Sequence, residues 1–116
     1  MTHPLYPAAS AEIAEQRREL APATHAAFQE FSRQVFADGA LDEKTKQIIA
    51  VAAAHVTQCP YCIRGHTELA IRKGATEQEV MEAIWVAAEM RAGAAYAHST
   101  LALDTMNRVA AKPSDG

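Results

Sequence analysis

Alanine occupies 26 of the 116 positions of this chain, and no other feature narrows its fold as much. Alanine is the strongest intrinsic helix former because it loses no side-chain entropy in a helix and buries no polar group there. Strand-rich classes are therefore excluded and an all-α domain is expected. A chain of this length makes about one domain and can bury roughly two thirds of the surface its unfolded form exposes. Residues 1–116 are accordingly read as a single domain. With 49% hydrophobic and 22% charged residues, the composition is that of a folded protein rather than a disordered one.

Charge and hydropathy exclude two classes of partner. The formal charge is −3 and no basic block is present, so nucleic acid is not an expected partner, since phosphate binding rests on clustered cations. The longest strongly apolar stretch, Ile48 to Val56, falls well short of the roughly 20 residues that span a bilayer. No membrane span is expected. Residues Met1 to Pro7 have neither a cationic segment nor an apolar core of the secretory type, which points to a cytoplasmic location. In that compartment two cysteines three positions apart are more plausibly redox-active or metal-binding than a structural staple.

Capping signals divide the chain into about six helices. Ser10 is placed to cap a first helix ending near Leu20, and Thr24 a second ending near Phe36 before Asp38-Gly39. Phe28, Phe31, Val35 and Phe36 share one face of that second helix. The pair is read as packing scaffold. Asp42 caps a third helix whose Ile48–Val56 portion is apolar nearly all round, the mark of a central helix. Pro60 suits the first position of a fourth, which Gly74 ends. Thr76 and Glu79 form a capping box for a fifth. The run Ala92-Gly93-Ala94-Ala95 is expected to break or kink it before a last helix ending near Val109.

The chemistry concentrates in Cys59-Pro60-Tyr61-Cys62-Ile63-Arg64-Gly65-His66. With a helix starting at Pro60, Cys59 is its N-cap and Cys62 lies in its first turn, so both sulfurs sit near unpaired backbone N–H groups and the positive end of the dipole. That setting favours thiolate and a reversible C-x-x-C disulfide. His66 follows Cys62 by four positions and Cys59 by seven, on the same helical face, and is a candidate base. Cys59, Cys62 and His66 are also three potential zinc ligands, with His55 a possible fourth. No second paired spacing accompanies them, and His55 reads as a hydrogen-bonded histidine beside the third helix.

These residues carry a resemblance. The run Leu41 to Ala52, the C-x-x-C-x-x-x-H segment, and Gly74-Ala75-Thr76 with Glu79 resemble the carboxymuconolactone decarboxylase family in its alkylhydroperoxidase AhpD-like branch, over about residues 39–106. The resemblance implies an AhpD-like helical bundle, assembly as a homo-oligomer (trimer or hexamer), and thiol-dependent reduction of a hydroperoxide substrate. It also implies a dithiol or protein reductant and no metal or organic cofactor. Carried over by position, Cys62 attacks peroxide, Cys59 is its disulfide partner and the point of exchange with reductant, and His66 belongs to a proton relay. The helix-end environment by itself allows either sulfur to be the more acidic.

Two departures bear on the relay. The position twelve before the first cysteine, often glutamate in the family, is Gln47, which cannot take up a proton at neutral pH. The residue before the second cysteine, histidine in some relatives, is Tyr61. Glu43, one turn before Gln47, is a candidate substitute carboxylate. Lactone decarboxylation, which the family name suggests, and a non-enzymatic redox-sensing oligomer are the alternative functions. Outside this segment, His98 reads as an interface histidine, Trp85 with Met81, Met90 and Met106 as core or interface, and Arg64 and Arg91 as surface cations.

Overall fold

A computed structural model describes residues 5–112, and the described residues form five α-helices and no strand. The helices are α1 (Ala11–Leu20), α2 (Pro22–Phe36), α3 (Glu43–Thr57), α4 (Pro60–Arg72) and α5 (Glu77–Ala111). The fold is all-α as expected, with five helices where about six were anticipated. The difference lies in α5, which runs unbroken for 35 residues through Ala92-Gly93-Ala94-Ala95. A single interior glycine costs a helix only about 1 kcal/mol relative to alanine, and the alanines around it are the best helix formers available.

Most helix starts coincide with their sequence signals. The side chains of Ser10, Asp42 and Thr76 each accept a backbone N–H from three residues on, and Glu79 returns the bond to the Thr76 N–H at 2.9 Å, completing the capping box. The second helix begins earlier than expected. Its N-cap is Ala21 rather than Thr24, because Pro22 has the fixed φ and missing donor that suit a first helical position.

The core is small and local. Val51 of α3 (0% exposed), Ala70 of α4, Ala75 of the turn after α4, and Val80 of α5 form it, flanked by Ile48 and Ile84. Near its beginning α3 meets α5 through Lys44 and Glu79, 3.2 Å apart, and at its end through Arg91, which donates to the Val56 carbonyl at 2.8 Å. These contacts make α3 and α5 parallel. Arg91 is therefore a clamp on the end of α3 as well as a surface cation. Helix α4 lies antiparallel beside α3, which packs on both α4 and α5 as its apolar sequence implies. Its Ile49 and Val56 nevertheless remain exposed.

The α1–α2 hairpin departs from the scaffold expectation. Neither helix has a buried residue, and Phe28 and Phe31 are 66% and 63% exposed. The second half of α5, beyond the point where α3 ends, also leaves its side chains exposed. The accessible area is 9452 Å², against about 6,200 Å² for a compact monomer of this mass. The radius of gyration is 21.2 Å, where a compact domain of this length has about 13 Å.

A core this small makes Val51 critical to stability. Val51→Ala removes two methyl groups from a fully buried site and should destabilise the fold by about 2 kcal/mol, measured as a lower denaturation midpoint at unchanged denaturant slope.

Candidate functional site

The reversal between α3 and α4 builds the thiol site. Gln58 ends α3 in the left-handed region (φ 60, ψ 45) and returns its N–H to Ala54 O, a common way of closing a helix. The Cys59 N–H follows to the same carbonyl at 3.3 Å. Cys59 is then extended, Pro60 takes the first helical position, and the Cys59 sulfur becomes the N-cap acceptor, receiving the Cys62 N–H at 3.3 Å. Both cysteines are free thiols, partly buried.

This geometry makes the sulfurs unequal. The Cys59 thiol is held below the ordinary cysteine range, first by a hydrogen bond from the Cys62 side chain and next by backbone N–H groups at the start of α4. The Cys62 thiol is raised, first because it donates that bond, then by burial and by the charge on Cys59. Of the two thiols, Cys59 is therefore the one that gives up its proton more readily.

Gln47 and His66 are brought together across α3 and α4. Gln47 is 2% exposed, the sole buried polar residue among those described, and its Oε1 lies 2.7 Å from His66 Nδ1. With the amide oxygen facing it, Nδ1 carries the proton and Nε2 keeps a lone pair. Phe36 stacks on the imidazole at 5.1 Å between ring centres. The turn that delivers Phe36 is held by Lys46, which donates to Ala37 O, and by Asp38, which accepts the Glu43 N–H at 2.7 Å.

Cys62 and His66 open together into a shallow cavity of about 200 Å³, whose other wall is Ala50, Ala53, Ala54 and Thr57 of α3. Cys59 does not line it. Glu43 is engaged elsewhere, its carboxylate 3.1 Å from Lys73 beyond the far end of α4. Lys73 is seven residues past His66, about 10 Å along the helix. His55 turns its Nδ1 to the Val51 carbonyl at 2.7 Å. Among the described residues no three His, Cys, Asp or Glu side chains gather as metal ligands.

Three contributions were missed in the sequence. Phe36 was read only as part of an apolar stripe. The cavity wall was visible as small residues at 50, 53, 54 and 57, the spacing of one helical face. Tyr61, inside the C-x-x-C turn, donates its hydroxyl to Pro7 O at 2.7 Å and meets Tyr6 edge-on at 6.1 Å. A segment more than fifty residues away in sequence thus packs on the motif, and no local pattern announces it.

The chain is similar to known proteins over most of its length. The model of the carboxymuconolactone decarboxylase family matches residues 22–105. A Paracoccus denitrificans protein described as uncharacterized protein 4 in the cox locus is 59% identical over 103 residues, 89% of this chain and 92% of that one. A solved structure from Methanobacterium thermoautotrophicum is 37% identical with a TM-score of 0.68, covering 72% of this chain and 93% of its own. A carboxymuconolactone decarboxylase family protein from Legionella pneumophila is 35% identical with a TM-score of 0.63, covering 68% and 73%. Among the described residues no helix is long and apolar enough to cross a membrane.

The unequal thiols predict a titration. Ultraviolet thiolate absorbance of the reduced protein should rise with a midpoint below that of an ordinary cysteine. Cys62→Ala, which deletes the donor, should move the midpoint upward, and Cys59→Ala, which removes both the acceptor and its charge, should bring the Cys62 step down toward the ordinary range.

Proposed function

The chain belongs to the carboxymuconolactone decarboxylase family, and from its thiol site we propose that it is an AhpD-like dithiol enzyme that reduces hydroperoxides. The observation that carries this reading is the division of labour between the sulfurs. Cys62 shares a cavity wall with a histidine whose Nε2 is free to take a proton, while Cys59 is within hydrogen-bonding reach as a second nucleophile.

The Cys62 proton passes to His66 Nε2, and the Cys62 sulfur attacks the terminal oxygen of the hydroperoxide. A sulfur–oxygen bond forms, the O–O bond breaks, and the departing alkoxide takes the proton from His66 to leave as alcohol. Cys62 is now a sulfenic acid. The Cys59 thiolate attacks its sulfur, the disulfide forms, and hydroxide leaves and is protonated by solvent. Two thiol sulfurs have lost two electrons; the peroxide has become alcohol and water. An external dithiol, small or carried by a protein, then attacks Cys59 and restores the pair.

Gln47 acts in this scheme by position. It holds the imidazole in the tautomer that leaves Nε2 available, but being neutral it cannot stabilise the imidazolium as a glutamate would. Glu43, bound to Lys73, takes no part. Decarboxylation of a lactone, the alternative suggested by the family's name, has no use for two coupled sulfurs. Assembly as a homo-oligomer belongs to the same proposal, and the excess accessible area of the single chain supports it.

Peroxide treatment should lower the intact mass by about 2 Da, and Cys59→Ser should instead retain an added oxygen on Cys62. Two free thiols after peroxide, with helical content unchanged, would overturn the reading. His66→Ala should slow peroxide consumption by a factor of about a hundred, the usual scale of a general base. Gln47→Glu should speed it at neutral pH, and Glu43→Gln should leave it unaltered.

A further inference from the structure

Two cavities on the amino-terminal side of the molecule have one residue in common. The first, of about 490 Å³, is lined by Pro7, Ala8, Ala9, Ile13, Tyr61 and Arg17. The second, of about 510 Å³, lies on the α1–α2 hairpin and is lined by Arg17, His25, Phe28, Gln29, Ser32 and Arg33. Both are in the size range of small-molecule sites. The first is walled by aliphatic and aromatic carbon and the second by polar and cationic groups, so Arg17 stands where the two characters meet. We propose that this junction binds a medium-chain fatty acid anion, its carboxylate on Arg17 and its hydrocarbon along Ile13 and Tyr61.

The head group follows from the charges. Arg18, Arg33, Arg72 and Arg108 each pair with a carboxylate, and Arg91 donates to the Val56 carbonyl. Arg17 makes no ion pair among the described residues. Arg33, on the same polar cavity, is already matched by Glu30, which leaves Arg17 as the uncompensated guanidinium there. Its donors form a fork that fits a carboxylate in two parallel bonds. Gln29 and Ser32 supply neutral donors on the same wall.

The tail follows from the other cavity. Arg17 is four residues after Ile13 on α1, so the two side chains share a face and the arginine leans back over the isoleucine. Tyr61 donates to Pro7 O at 2.7 Å and meets Tyr6 edge-on, which keeps the facing apolar wall in place. Ile13 is 47% exposed and Tyr61 41%, surface that a hydrocarbon chain would cover. Arg17 is the only cation lining this cavity, so the fit is to an acid charged at one end. An inorganic anion would leave the carbon wall unused. No residue is shared with the cavity of Cys62 and His66, and the site stands apart from the hydroperoxide chemistry.

Calorimetric titration of the reduced full chain with decanoate, kept below its micelle-forming concentration, tests the site without any turnover. One equivalent per chain should bind. Decanol, with the same chain and no charge, should bind about tenfold more weakly, the scale of a hydrogen bond to a charged group, and butyrate, with the charge but little chain, should fail to saturate. Arg17→Gln, at an exposed helical position, should weaken decanoate by about the same factor with helical content unchanged, and Arg17→Lys should lose less. Decanol binding as tightly as decanoate would overturn the proposal on the unaltered protein, as would an absence of binding. Affinity untouched by Arg17→Gln, or many weak equivalents in place of one, would overturn it as well, since both mark adsorption on the exposed apolar faces.

Discussion

The hydrogen bond between Gln47 and His66 is the constraint on which the site depends. It joins α3 to α4 at 2.7 Å, and it satisfies a side chain that would otherwise be a costly orphan in the interior. Its presence explains how a polar residue lies in a core of valine and alanine. It also sets the imidazole's tautomer, leaving Nε2 its lone pair on a ring that lines the same cavity as Cys62. Phe36 stacks on the ring's face, so the imidazole is held by one hydrogen bond from α3 and one stacking contact from α2.

The sulfurs are governed by the same helix end but respond in opposite directions. Cys59 caps α4 and collects donors, whereas Cys62, one turn in, becomes one of those donors. The more acidic thiol, Cys59, does not line the cavity, and the cysteine that does, Cys62, holds its proton more tightly. Gln47 positions the imidazole without placing a negative charge beside it.

The same economy runs through the fold. Three helices enclose a handful of buried residues around Val51, and the remainder of the apolar surface, on α2 and along α5, is turned outward. A chain this rich in alanine fills a deep core poorly, because each alanine contributes only a methyl group. It can form long, narrow helices that approach one another closely. Stability then rests on packing between elements that lie far apart in sequence.

Much of this was legible without coordinates. Ser10, Asp42, Cys59 and Thr76 mark helix starts because capping is a matter of three or four adjacent residues. The all-α class follows from alanine, and the pairing of Cys59 with Cys62 follows from spacing across one turn. The continuity of α5 was misjudged because a glycine among alanines signals a break only weakly, and nothing in the local sequence states that the helix goes on. Phe36 on His66, Tyr61 on Pro7 and Glu43 on Lys73 were decided by tertiary structure alone. Each depends on which groups from distant segments meet, and that is not encoded in any short stretch of chain.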